Sequence, residues 1–210
     1  MIHRDSDARL TMAGDLAARA ILAGLYLVLT RTLLTDFLRT GRITGLLLLA
    51  AESLVVVFTI VRRQAQIVDW SPAAVLTTAV SAMGPLLVQT TPDGGLLPDL
   101  VTTFVSALGL SMVIAGKLAL GRSFGIIPAN RGIVMEGAYK LVRHPIYAGY
   151  LVTHLAFAFA HPLVWNVVIL TVADLALMVR ALREEQVLRA DRAYEDYCRR
   201  VAWHVLPGVF

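Results

Sequence analysis

Long apolar runs separated by short polar breaks dominate this chain. Four of them follow one another at about 16–38, 43–61, 72–90 and 97–118. Each is close to the roughly 20 residues that a helix needs to cross the hydrocarbon of a bilayer. The run ITGLLLLAAESLVVVFTIV at 43–61 shows no two-residue alternation. That excludes the strands of a membrane barrel and leaves helices, which satisfy their own backbone groups in lipid. A further apolar region, 146–182, is too long for one straight span, and AHPLVWN at 160–166 interrupts it with Pro162. Proline cannot continue a helix, so this region predicts a helical hairpin or two kinked helices. The remainder, REEQVLRADRAYEDYCRRVAWHVLPGVF, is charged and amphipathic and predicts a segment in the aqueous or interfacial layer. The pattern predicts an all-α, polytopic membrane protein with about five to six transmembrane helices.

Composition strengthens this reading. Hydrophobic residues make up 57% of the 210, charged residues only 16%, and the charges cluster outside the apolar runs. The mean hydropathy of +0.69 is too high for a water-soluble domain. A net charge of +4 could point to nucleic acid, but the basic residues flank apolar segments and form no stripe interleaved with exposed aromatics. Membrane topology and anionic headgroups account for them, and no nucleic-acid partner is expected. The single Cys198 excludes an internal disulfide and any CxxC redox or metal motif, and no metal site is expected. The N-terminus lacks a short apolar core with a small-residue cleavage site, so the first run is expected to stay as an anchor.

Lys and Arg set the expected orientation. The loop TPDGGLLPD at 91–99 has none and is placed outside. Arg62, Arg63, Lys117, Arg122, Arg131, Lys140 and Arg143 then fall inside, with the N-terminus and tail in the cytoplasm, as in a bacterial inner membrane. Arg39 and Arg42, in the first short loop, conflict with this arrangement.

The chain divides into a span-rich part, 1–116, and a part from 117 to 210 in which spans alternate with polar segments; no internal repeat is visible. Three of those segments carry candidate chemistry: LGRSFGIIPANRGIVMEGAY at 120–139, KLVRHPIYAGY at 140–150 and RALREEQVL at 180–188. The intervening helices return to one membrane face, so all three can converge there. Gly125, Gly132 and Gly137 permit tight turns and close approach of backbone to a ligand. Pro145 pushes His144 out of helical geometry. Arg180 and Glu184 lie one turn apart on one helix face.

These pieces resemble the isoprenylcysteine carboxyl methyltransferases and their phospholipid methyltransferase relatives. The similar stretches are GRSFG, GAYKLVRHPIYAGY, the glutamate pair 184–185 with Leu188, and AYEDYCRRVAWHVLPGVF, in the same order over about 117–210. The resemblance implies an integral membrane methyltransferase that uses S-adenosylmethionine on a lipophilic acceptor, such as the carboxylate of an isoprenylcysteine-like or other lipid-like molecule from the bilayer. It implies a cofactor pocket open to the cytosol, lined by Arg131, Gly132, Ile133, Val134 and Tyr139. His144, Pro145, Ile146 and Tyr147 would touch the nucleotide or amino-acid portion, and Glu184 would anchor the cofactor. Arg180 matches an arginine that faces the acceptor. A carboxylate acceptor needs no general base, whereas an amine would need one, with Glu185 or His144 as candidates.

Plainer readings stand beside these. Lys140 fits a topology signal, and Tyr139, Tyr147 and Tyr150 fit an interfacial aromatic belt. Glu184 and Glu185 fit a solvated helix face. Glu52 and Asp174 lie inside apolar runs, where carboxylates default to functional roles, yet each could instead hold helices together. A sterol-type membrane reductase using NADPH and a non-enzymatic membrane subunit are the rival readings of the whole chain.

Overall fold

A computed structural model describes residues 23–61, 67–91, 94–123, 129–130 and 132–210. Arg62, Arg63, Gly125 and Arg131, named above, lie outside the described residues. Seven α-helices make up the described fold. They are α1 (23–40), α2 (Thr44–Val61), α3 (Pro72–Met83), α4 (Asp99–Leu120), α5 (Pro145–Ala160), α6 (Val164–Leu188) and α7 (Arg192–Arg200). A two-residue antiparallel pair, β1 (Ile67–Val68) with β2 (Ala129–Asn130), joins the α2–α3 and α4–α5 connections.

The helices α1 to α6 alternate in direction between two ends of the bundle. Thr44 and Thr102, at the starts of α2 and α4, share a hydroxyl hydrogen bond of 3.1 Å. At the same end the loop after residue 91 meets the α5–α6 turn, where the Leu96 amide donates to the Phe159 carbonyl. At the other end Arg183, late in α6, donates to Ser71, the N-cap of α3.

The predicted hairpin is there. The break falls at His161–Leu163, and buried Asn166 secures it by donating to the carbonyls of His161 and Gln89 and accepting from the Gln89 amide. On its far side α6 continues past the apolar region to Leu188, carrying Arg180, Glu184 and Glu185 on ordered helix.

Five to six spans were expected. Among the described residues only α4 and α6 are long and apolar enough by themselves to cross a membrane. The others fall short for physical reasons. Helix α3 has 12 residues and α5 has 16, about 18 and 24 Å at 1.5 Å per residue, against a core of about 30 Å. Helix α1 carries Arg31, Asp36 and Arg39.

The tightest packing joins α4 to α5. A Cβ on Gly149 would sit 2.6 Å from the Gly109 carbonyl oxygen, and one on Gly109 would sit 2.8 Å from that of Gly149. Helices in lipid associate through such small-residue faces, because burial against apolar lipid supplies no net drive. The conflict at Arg42 resolves within the fold. Its side chain is 5% exposed, pairs with Asp36 at 3.2 Å and donates to the carbonyls of Thr91 and Ala160. It is an internal tie at the 91–99 end, not an exposed topology signal.

Candidate active site

The α4–α5 connection, the start of α5, the end of α6 and α7 close around one pocket. Its cavity volume is about 70 Å³. Gly132, Ile133, Val134, Tyr139, His144, Ile146, Tyr147, Arg180 and Glu184 all line it, together with Arg143, Leu188, Tyr194 and Tyr197. Three segments separated in sequence are thereby brought to one place. Pro145 heads α5 without lining the pocket, and Glu185 is not among the lining residues either.

Local sequence explains the arrangement. Gly132 and Gly137 have φ of 99° and 62°, a backbone region that side chains with a Cβ rarely adopt. They turn the chain so that Tyr139 is buried. Its carbonyl accepts from the Tyr197 hydroxyl at 2.7 Å, fastening α7 to this loop. Burial, with the negative charge of Glu184 nearby, holds the Tyr139 phenol well above its usual pKa, so it stays protonated. Burial raises the Tyr194 phenol and the Cys198 thiol as well, which leaves Cys198 a poor nucleophile.

His144 sits at the N-cap of α5 with φ −129° and ψ 64°, outside helical geometry. Its ring stacks on Tyr147 at 5.1 Å with 9° between planes. The Tyr147 hydroxyl donates to Glu184 Oε2 at 2.7 Å, and the Arg180 guanidinium lies 5.3 Å from the centre of the Tyr147 ring. The far edge of His144 is fixed. Its Nε2 donates to Glu185 Oε1 at 3.1 Å, and His204 Nδ1 approaches the same oxygen at 2.5 Å. Arg143 holds the other oxygen at 3.0 Å, and it also donates to the carbonyls of Cys198 and Val201 at the C-terminal end of α7. Backbone amides complete the join, with Arg143 donating to the Trp203 carbonyl and His144 to that of His204.

Glu185, 1% exposed, is therefore the hub of a buried ionic cluster behind the pocket wall. An ionised carboxylate only accepts, so His144 carries its proton on Nε2 and leaves Nδ1 as its remaining hydrogen-bonding atom. Lys140 is exposed and outside the pocket.

The comparison with known families now has a geometry to attach to. Residues 94–196 match the phospholipid methyltransferase family. The match covers just under half of the chain. The match takes in α4 through most of α7, which means every described element that lines the pocket. That match and two helices long and apolar enough to cross a bilayer both support a membrane protein. The chain is also similar to the Delta(14)-sterol reductase TM7SF2 of Mus musculus, 33% identical over 87 residues, which is 39% of this chain and 20% of that protein. The chain thus spans about a fifth of that relative's length.

Sequence reasoning gave Tyr194, Tyr197 and His204 no role, and it took Lys117 for a topology charge although the fold buries it completely. The two tyrosines stand three apart on the amphipathic α7, a spacing that signals one shared face. His204 gave no such signal, because its partner lies 19 residues away on the other side of α7.

Proposed function

We propose that this protein transfers the methyl group of S-adenosylmethionine to a lipophilic acceptor drawn from the bilayer. The observation that carries the reading is the convergence of 132–134, Tyr139, His144, Ile146, Tyr147, Arg180 and Glu184 on one pocket within the family match. Bound there, the cofactor would supply an activated methyl group on a cationic sulfur. The residue types suit it. The carboxylate of Glu184 can take an ammonium or ribose hydroxyls, the Tyr147 ring face suits a cation, and Arg180 with nearby backbone amides can hold a carboxylate.

The protein's own part is binding, orientation and exclusion of water, which dominate an in-line displacement. Arg180, 7% exposed on the membrane side of Glu184, would orient an acidic acceptor through its planar fork. For an acceptor that must lose a proton, His144 Nδ1 is the nearer base. Glu185, with its oxygens taken by Arg143, His144 and His204, would act by positioning His144.

The sterol reductase likeness favours a second reading, a membrane reductase using NADPH. One measurement separates the two. Purified protein should gain thermal stability with S-adenosylhomocysteine and none with NADPH. His144→Ala and Glu184→Ala should each weaken S-adenosylhomocysteine by about 1–3 kcal/mol as a charge-assisted contact is lost. Unchanged affinity in both variants would remove the site assignment, and stabilisation by NADPH alone would favour the reductase.

A further inference from the structure

The two acidic residues inside the apolar runs lie on different helices, and the fold brings both to one histidine. Asp174 Oδ1 accepts from His154 Nδ1 at 2.6 Å. His154 is 2% exposed, and its Nε2 is buried without a hydrogen-bond partner. Beyond the ring, Glu52 stands within electrostatic reach of both His154 and Lys117. Lys117 Nζ donates to the Tyr150 hydroxyl at 2.9 Å. This cluster ties α2, α4, α5 and α6 together away from the pocket. Asp174 precedes Glu184 by ten residues, about 15 Å along α6.

Asp174 differs from the rest of the cluster because it also faces outward. It lines a groove between α5, α6 and the chain end, whose other walls are Leu151, Thr171, Leu175, Met178, Leu206 and Phe210. Its side chain is 20% exposed, and Oδ2 makes no hydrogen bond among the described residues. His154 therefore fixes one oxygen and leaves the other at a groove on the lipid side whose remaining walls are apolar apart from Thr171. An acceptor without a donor at that depth is costly, so the groove is complementary to an amphiphile that brings a donor. An ionised fatty carboxylate is an acceptor only and brings no donor. An ammonium would lose its own hydration far from the headgroups, whereas a hydroxyl loses much less.

We propose that this groove binds a long-chain alcohol or phenol from the bilayer. Its chain lies against Leu175, Met178, Leu206 and Phe210, and its hydroxyl donates to Asp174 Oδ2. The proposal does not depend on the methyl-transfer reading.

The probe is a diazirine analogue of 1-dodecanol, photolysed with the full-length protein in lipid nanodiscs and mapped by mass spectrometry. Labelling should concentrate at 171–178 and 206–210, and 1-dodecanol should compete while dodecanoate does not. Asp174→Leu should reduce the labelling at least about fivefold, the effect of roughly one lost hydrogen bond. Leu175→Trp fills the groove from a lipid-facing position and should do the same without touching the buried cluster. Both variants should keep the parent response to S-adenosylhomocysteine. Should Asp174→Leu fail to fold, Leu175→Trp carries the test alone. Labels spread evenly over lipid-facing helices, equal competition by dodecanoate, or unchanged labelling in the folded variants overturn the proposal.

Discussion

Arg180 enters the pocket from α6 one turn before Glu184, its guanidinium over the Tyr147 ring. A snorkelling arginine and an acceptor-orienting arginine share the same charge and differ in what the fork does. Arg180→Lys should therefore bind S-adenosylhomocysteine normally while methyl transfer falls at least about tenfold, or 1.4 kcal/mol of transition-state stabilisation. Full turnover on the true acceptor would return Arg180 to the membrane edge. Glu185 calls for a different test. Removing it leaves Arg143, buried His144 and half-buried His204 around a missing acceptor, and breaking such a pair costs about 3 kcal/mol. Glu185→Ala should lower unfolding stability by that order and weaken S-adenosylhomocysteine binding with it. A variant Glu185→Gln that keeps stability and cofactor affinity but loses all transfer would instead make Glu185 a base.

Among the elements, the α4–α5 pair fixes the geometry that the pocket depends on. Pro145 starts α5 beside Gly116 of α4, where an added Cβ would meet Ile146 at 2.6 Å. The last glycine of RHPxYxG, Gly149, faces Gly109 and not the ligand space. Its role is to let two backbones approach. Gly149→Val would force a Cβ into the Gly109 carbonyl and the Val113 side chain. Overpacking of this kind costs about 1–3 kcal/mol, and here rigid backbone cannot yield. The variant should melt below the parent in detergent and, by displacing the start of α5, should also bind S-adenosylhomocysteine more weakly. A melting temperature equal to the parent's would show the crossing to be looser than its geometry. Helix α7 has the complementary task. Tyr197 and the Arg143 contacts with its last carbonyls hold it over the pocket as a wall.

For the whole molecule, the fold removes one of the two conflicts among the basic residues and leaves the other. Arg42 is consumed by Asp36 and backbone carbonyls, so of the two conflicting arginines only Arg39 is exposed. The arginine-free 91–99 loop lies at the end opposite the pocket, and Lys140 and the tail lie at the pocket end. We expect single cysteines introduced in a Cys198→Ser background to react with a membrane-impermeant reagent in intact cells at 94, where a side chain meets open space, and not at 140 or 199. Labelling at 140 from outside would invert the orientation and move the pocket to the other side of the membrane.

The apolar periodicity by itself determined the helical class, the placement of α2, α3 and α4, and the break at Pro162, because burial in lipid and the missing proline N–H act locally. The motif order was also legible, since RHPxYxG and the glutamate pair each sit at an element boundary where helical geometry fixes their direction. What the linear chain could not contain were pairings set by packing distance. Glu184 and Glu185 are neighbours, yet 100° of helical rotation sends one to the pocket and the other into a cluster with His144 and His204. Arg42 reads as an exposed loop charge until the fold places the Thr91 and Ala160 carbonyls beside it. Glu52 and Asp174 lie more than a hundred residues apart. Only the crossing of α2, α5 and α6 could bring both to His154, with Asp174 accepting from its Nδ1 and Glu52 within electrostatic reach, partners that no local rule selects.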